Sequence, residues 1–290
     1  MNDRLAGLLD HYSLRARVFF QGRVCANERF SGADRLGYLH VVHRGRLQVR
    51  SSVHATQVID EPSLLFYPRA AAHDVTVDPN DGVDLVCATV DIGANHGNPL
   101  ALALPPMLCV PLADMPTLSA ILELLFAEAF SEHCGRQAAL DRLCELLLIH
   151  LLRHTLDQPA APIGLLAGLA DRRLAKALVA MHEQPARDWS LSELAAQAGM
   201  SRARFAANFR QTVGTTPGHY LTGWRINLAR RFLKQGKPVA HVAQDVGYNS
   251  TTAFSRAFRA HTGTSPRQWL RSEMAEVENI SLATPATGNA

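Results

Sequence analysis

Two thiols and two imidazoles fall in the first third of the chain: Cys25, His40, His73 and Cys87, each on or beside a stretch that reads as a β-strand. Gathered around one point they would form a tetrahedral donor set suited to zinc or a similar soft ion. Their spacing lacks the Cys-x-x-Cys proximity of many zinc sites. The other role open to them is the ordinary one, each Cys a small core hydrophobe and each His a hydrogen-bonded barrel residue. A second group suits a polyanion. Arg202, Ala203, Arg204, Ala206, Ala207 and Arg210 belong to one helical stretch, and Thr251, Thr252, Ser255, Arg256 and Arg259 to another. Guanidinium groups pair with phosphates, guanidiniums and hydroxyls read base edges, and alanine methyls meet thymine methyls.

The second group sits in a unit written twice. "GMSRARFAANFRQTVGTTPGHYL" (Gly199–Leu221) and "GYNSTTAFSRAFRAHTGTSPRQWL" (Gly247–Leu270) align at a constant offset of 49. The matches run from Phe205/Phe254 through Phe209/Phe258, Gly214/Gly263 and Pro217/Pro266 to Tyr220/Trp269. Gly199 pairs with Gly247 at an offset of 48, so one residue is dropped in the turn. Phenylalanines four apart share a helix face and must pack inward on the preceding helix. Ser190 with Glu193 forms a capping box, Ser201 caps the next helix, and Asn249 or Ser250 does so in the second copy. Gly199 and Gly247 end the helices before the turns. Helix, tight turn, helix presents its second helix to a DNA major groove. Between the copies, "TPGHYLTGWRINLARRFLKQG" reads as one helix of about nineteen residues and about 28 Å. That is close to the roughly 34 Å between major grooves one turn apart, so one chain can engage two successive grooves. Three alanines on the outward face of the first reading helix cannot hydrogen-bond a base. The second unit, chiefly Arg256 with Thr252 and Ser255, is therefore expected to carry more of the direct readout, while Arg202, Arg204 and Arg210 hold phosphate.

Charge divides the same way. Residues 171–273 hold 16 Lys and Arg against 6 Asp and Glu, a net +10, whereas residues 1–170 hold 13 against 18, a net −5. A basic third joined to an acidic remainder fits a polyanion-binding module attached to a domain of another kind. Residues 171–273 resemble the DNA-binding domain of the AraC/XylS family of bacterial transcription regulators, and "VAQDVGYNSTTAFSRAFRAHTGTSPRQW" is close to that family's signature. The resemblance implies seven helices carrying two helix-turn-helix units, base contacts from the outward faces just named, and phosphate contacts from nearby Lys, Arg and helix N-termini.

From Val18 to about Pro111, short apolar runs rich in β-branched and aromatic residues alternate with turn signals such as "SGAD", "HRGR" and "DPNDG", the pattern of a sandwich or barrel. Two amphipathic helices follow, about Leu118–His133 and Arg136–Leu156. "PSLLFYPRAAAHDV" resembles the second motif of cupin barrels and "GYLHVVHRGRLQV" stands in the place of the first, so residues 18–156 resemble the cupin-type sensor domain of many AraC/XylS regulators. Catalytic cupins carry His-x-His plus Glu on that first motif. Here the spacing is His40-x-x-His43, and residues three apart on a strand face opposite ways, which argues against dioxygenase-type chemistry. His96, Phe19, Phe20, Phe66 and Tyr67 are candidates to line an effector pocket. Leu122, Leu125, Leu146, Ile149 and Leu152 are candidates for a dimer seam or for covering the barrel.

The fold expected is α+β: a cupin-like barrel with two trailing helices over 1–156, a linker over 157–170, an all-α double helix-turn-helix domain over 171–274 and a tail over 275–290. A content of 47% apolar and 19% charged residues is that of a globular protein. No apolar run reaches the roughly 18 residues of a membrane span, and the first twenty residues do not read as a secretory signal. Five scattered cysteines suit reduced thiols in the cytoplasm. There is no G-x-S-x-G and no phosphate-binding G-x-x-x-x-G-K-[ST]. The function expected is that of a sequence-specific transcription regulator of the activator type, controlled by a small-molecule or metal effector. Its partners would be promoter DNA, RNA polymerase and a second copy of itself. A cupin-type metalloenzyme with an accessory DNA-binding module, and an architectural DNA binder, are the alternatives.

Overall fold

The computed structural model describes residues 3–32, 35–93, 98–158 and 163–283. The chain divides into two compact units, Asp3–Arg172 and the residues from Arg173 onward.

The first unit opens with helix α1 (Ala6–His11), which precedes the stretch expected as the barrel. Strands β1 (Arg15–Val24), β2 (Glu28–Phe30), β3 (Gly37–Arg44), β4 (Leu47–Ser51), β5 (Gln57–Ile59), β6 (Ser63–Tyr67), β7 (His73–Val77) and β8 (Val83–Asp91) follow. A short helix α2 (Pro99–Ala103) leads to β9 (Leu108–Pro111), and then come α3 (Ser119–Ala129), α4 (Arg136–Asp157) and α5 (Leu165–Ala170). The strands form a five-stranded sheet in the order β1-β8-β3-β6-β9 and a four-stranded sheet in the order β2-β7-β4-β5. All the strand pairs are antiparallel.

Strand alternation decides what lies between the sheets. On β3, Tyr38 and Val42 join a buried cluster with Leu65 and Tyr67 of β6, Leu85 and Cys87 of β8, Leu47 and Val49 of β4, and Val75 and Val77 of β7. That cluster draws on both sheets, as a barrel interior must. The other face of the five-stranded sheet is covered by helices, with the ring of His43 4.0 Å from that of Phe126 on α3. β1 is an edge strand, and α4 closes it: Asp141 accepts from the Val18 amide (2.7 Å), Glu145 from the Ala16 amide (3.3 Å), and Gln137 donates to the Val18 carbonyl (2.8 Å). Of the residues offered for a dimer seam or for covering the barrel, Leu125 and Leu152 are buried inside this unit, Leu122 and Ile149 are half-buried, and Leu146 is exposed. These helices spend most of their apolar face covering the sheet.

Part of the stretch expected as linker is α5. Leu165, Leu166 and Leu169 are buried, and the helix packs on α2 and α4. The flanking prolines and glycines masked a one-and-a-half-turn apolar helix.

The second unit is all helical: α6 (Leu174–Glu183), α7 (Leu191–Gln197), α8 (Arg202–Val213), α9 (Pro217–Lys234), α10 (Val239–Asp245), α11 (Thr251–Thr262) and α12 (Pro266–Ala283). α12 runs past residue 275, where the tail was expected. The capping box is formed: Glu193 accepts from the Ser190 amide (2.8 Å), and the Glu193 amide donates to the Ser190 hydroxyl (3.2 Å). Donation to its carboxylate from the Ser190 amide, the Ser190 hydroxyl and the neighbouring Arg187 brings the Glu193 carboxyl down to about 2. Ser201, Thr216 and Ser250 cap α8, α9 and α11. Of the two candidates in the second copy, Ser250 is the one that caps.

The duplication is also a repeat of ring packing. Phe205 and Phe209 meet edge to face at 5.5 Å, and Phe209 meets Tyr220 at 5.8 Å. At the corresponding positions Phe254 and Phe258 meet at 5.6 Å, and Phe258 meets Trp269 at 5.8 Å. All four phenylalanines are fully buried. Between the copies, Arg225 of α9 donates to the carbonyls of Pro185 (2.7 Å) and Arg187 (2.8 Å), and its guanidinium lies 5.8 Å from the Tyr248 ring. The loop before α7, the connecting helix and the turn of the second copy are thereby tied together.

Candidate nucleic-acid interface and barrel cavity

In the all-α unit, burying the phenylalanines fixes what faces outward. On α8, Arg202, Ala203, Arg204, Ala207 and Arg210 are exposed and Ala206 is half-buried. On α11, Thr251, Thr252, Arg256 and Arg259 are exposed and Ser255 is half-buried. Among the described residues none of these five arginines joins an ion pair, so each guanidinium is available to a phosphate or base. The two faces carry the same scaffold with different chemistry, alanine-rich on the first and hydroxyl-rich on the second.

In the barrel, His40, His73 and Cys87 meet, because β3 pairs with β8 with His40 opposite Cys87 and because His73 opens β7 across the interior. His40 Nδ1 lies 3.1 Å from Cys87 Sγ, His40 Nε2 lies 2.9 Å from His73 Nε2, and His73 Nδ1 lies 2.9 Å from the Ala71 carbonyl. A carbonyl only accepts, so His73 Nδ1 carries the hydrogen and its Nε2 is the acceptor. His40 must then donate from Nε2 and accept at Nδ1, which the protonated Cys87 thiol supplies. The chain runs Cys87 S–H to His40, His40 N–H to His73, His73 N–H to Ala71. Burial favours the same uncharged state. It lowers His40 to about 3, with His73 beside it adding to the fall, lowers His73 as well, and raises the Cys87 thiol. Stacking on Tyr67 (4.1 Å) and Phe30 (4.8 Å) holds the His73 ring.

In this arrangement the four residues proposed as a metal set are not gathered around one point. Cys25 is exposed, beside Gly82, and takes no part in the chain. Cys87 and His73 lie against opposite nitrogens of the His40 ring, so the three cannot converge on one ion. Among the described residues no group of three or more His, Cys, Asp or Glu side chains is placed to hold a metal ion. What the spacing did foretell is the separation of His40 from His43, which points away from the interior onto Phe126.

Both histidines are held neutral in the folded barrel, whereas an unfolded histidine takes a proton near 6.5. Stability is therefore full above that value and falls with pH toward the lowered folded values. Urea titrations followed by β-sheet ellipticity should lose up to about 1.4 kcal/mol per pH unit through His40 between about pH 6.5 and 4, with His73 adding in the same direction. A shallower profile in His40→Phe than in the parent chain would tie that part of the slope to this ring, and an unchanged slope would show that it arises elsewhere.

Next to the chain is a cavity of about 240 Å³. A register shift between Val18 and Phe20 on β1 lets the consecutive residues Phe19 and Phe20 both border it. Of the other expected pocket residues, Phe66 and Tyr67 are buried in the core and outside the cavity lining, and His96 lies outside the described residues. Glu28 and Phe30 at the mouth were not anticipated, because the three-residue strand β2 carries too little pattern to be read alone.

A two-sheet barrel followed by a doubled helix-turn-helix unit defines a two-part class of protein. The chain belongs to the cupin family, whose model matches residues 3–157, and a helix-turn-helix domain model matches residues 194–272. It is 37% identical over 174 residues to an uncharacterized HTH-type transcriptional regulator of Haemophilus influenzae, covering 60% of this chain and 58% of that one. It is 40% identical over 187 residues to a protein of Streptomyces antibioticus named as an AraC-like transcription regulator, covering 62% and 61% of the two chains. With the HTH-type transcriptional regulator AlkR of Acinetobacter baylyi the identity is 28% over 263 residues, covering 79% and 86%. The chain thus spans about 60% of the length of the first of these relatives. No described helix is long and apolar enough to cross a membrane.

Proposed function

We propose that the protein is a sequence-specific, DNA-binding transcription regulator whose barrel unit senses a small molecule and which works in the cytoplasm. The observation that carries this is the pair of outward faces on α8 and α11, matched in scaffold and set with five arginines that have no carboxylate partner, in a segment of net charge +10. Unpaired guanidiniums on two helices of this kind are what two successive grooves of a duplex require. The relatives named above are described as transcription regulators, which supports the reading. We read the protein as an activator, with RNA polymerase as its partner at promoters and a second copy as partner in solution. The barrel has no catalytic role in this reading, since its buried imidazoles and thiol are committed to one another. The domain limits we adopt are the barrel unit to 172 and the DNA-binding unit from 173.

The test is an operator selected from a random duplex pool, with binding followed by fluorescence anisotropy. Arg256→Ala should lose about 1–3 kcal/mol and relax preference at one base position. Arg210→Ala should weaken all sequences alike and lower the salt slope by about one. If Arg210→Ala removed base preference while Arg256→Ala left it intact, the assignment of readout to α11 would be wrong.

A further inference from the structure

The barrel cavity is small, aromatic at its mouth and charged at one place only. Its volume of about 240 Å³ exceeds the roughly 150 Å³ that accommodates benzene and falls below the range of drug-sized sites, about 300–1,000 Å³. Phe19, Phe20 and Phe30 border it, with Phe19 and Phe30 edge to face at 6.1 Å and Tyr38 packed on both. Aliphatic side chains of Leu65 and Leu85 complete the walls, and His40 and Cys87 also line it.

The charges in that lining are one-sided. No Lys or Arg lines the cavity, and Glu28 supplies its single carboxylate. Glu28 is exposed and has no ion-pair partner among the described residues. Its neighbours Arg29, Asp74 and Arg50 stand in register on adjacent strands and pair with one another, Arg29–Asp74 at 3.6 Å and Arg50–Asp74 at 3.8 Å. Those cations are occupied, and by strand alternation they point to the side of the sheet opposite Glu28 and Phe30. The imidazole of His40 offers no positive charge either, because burial keeps it neutral and both nitrogens are bonded. An anion entering this cavity would give up water for no compensating charge. An ammonium group at the mouth would meet a free carboxylate and the faces or edges of aromatic rings.

We propose that the barrel cavity binds a small lipophilic cation, an apolar body of about the size of a substituted benzene with one ammonium group held at the mouth by Glu28 and the Phe19/Phe30 pair. This rests on the reading of the barrel as the sensing unit and names the class of molecule sensed. Apolar walls take the body, and the carboxylate selects the charge.

Three probes of one shape and different charge test it on the full chain by titration calorimetry: benzyltrimethylammonium, its uncharged carbon isostere neopentylbenzene, and phenylacetate. The ammonium should bind one per chain and phenylacetate at least tenfold more weakly, by roughly the worth of one charged contact. Glu28→Gln should weaken the ammonium about tenfold and leave neopentylbenzene unchanged. Glu28→Lys should reverse the order of ammonium and phenylacetate. Because Glu28 is exposed, neither change threatens folding, and β-sheet ellipticity checks this. Phenylacetate binding as tightly as the ammonium, an unchanged ammonium affinity in Glu28→Gln, or no ammonium binding at all would overturn the proposal. Operator affinity measured with each probe separates the two levels. Ammonium binding that leaves DNA affinity unmoved supports the ligand class and removes the sensing reading, whereas control of DNA affinity by phenylacetate alone removes the ligand class and keeps the sensing reading.

Discussion

Phe254→Ala is expected to lower the stability of the all-α unit by about 3–5 kcal/mol, the cost of truncating a fully buried ring in a site that cannot collapse around the gap. Phe254 has no exposed surface and meets Tyr248 and Phe258 edge to face, both at 5.6 Å. It anchors α11 from the side opposite Arg256. A loss of this size is a large part of the roughly 5–15 kcal/mol that holds a domain folded, so α11 should lose its fixed position and operator binding should fail with it. The paired measurement is helical ellipticity in urea beside operator affinity. Phe254→Ala should move both, and Arg256→Ala should move only the second. A Phe254→Ala chain as stable as its parent would show that the ring ladder is not what holds the reading helix.

Gly247→Ala should destabilise the same unit by about 2–5 kcal/mol, while Gly199→Ala at the equivalent turn costs only about 1–2 kcal/mol. Both glycines have left-handed backbone, φ +62° at Gly199 and φ +84° at Gly247, so both substitutions carry the steric cost of that conformation. They differ in surroundings. A methyl on Gly199 would meet nothing within 4 Å, whereas one on Gly247 would stand 2.6 Å from the Ala186 carbonyl oxygen and 2.7 Å from its Cα. Backbone cannot swing aside as a side chain does, so the loop before α7 must shift. That loop is the one Arg225 grips, and the shift should alter the setting of the second turn against the first. Thermal melting of the two variants side by side checks the difference. Equal losses would mean that the loop yields without cost.

The helical unit could be read closely from its residues because its determinants are local. Phenylalanines at i and i+4, a serine three residues before its capped amide and a glycine at the turn each act within a few positions. A repeat at a fixed offset then doubles every signal. Charge was legible for the same reason, since lysines and arginines far from a core keep the exposure their chemistry favours. In the barrel, alternation correctly sent His40 and His43 to opposite faces. The meeting of His40, His73 and Cys87 was visible only as a set of residue types, and their order along one hydrogen-bonded chain depends on strand pairings with no local trace. Four donors in a sequence suggest a metal, but which nitrogen faces which neighbour decides whether they can share an ion. Cys25 was grouped with them by type although the strand carrying Val24 ends before it. The helix α5 was hidden by its flanking prolines and glycines. Glu28 escaped attention because its strand has three residues, and the bulge that brings Phe19 to the cavity cannot be seen in an alternating pattern that it interrupts.

The carboxylates and amide of α4 that close β1 have a consequence for how copies of this chain could meet. A free strand border invites a neighbour to add itself to the ladder, the usual first step of runaway self-association in β-proteins. At Ala16 and Val18 that invitation is withdrawn, because the hydrogen-bonding positions a foreign strand would need are occupied from within the same molecule. Pairing of copies by extension of the sheet at this border would require the helix to let go first.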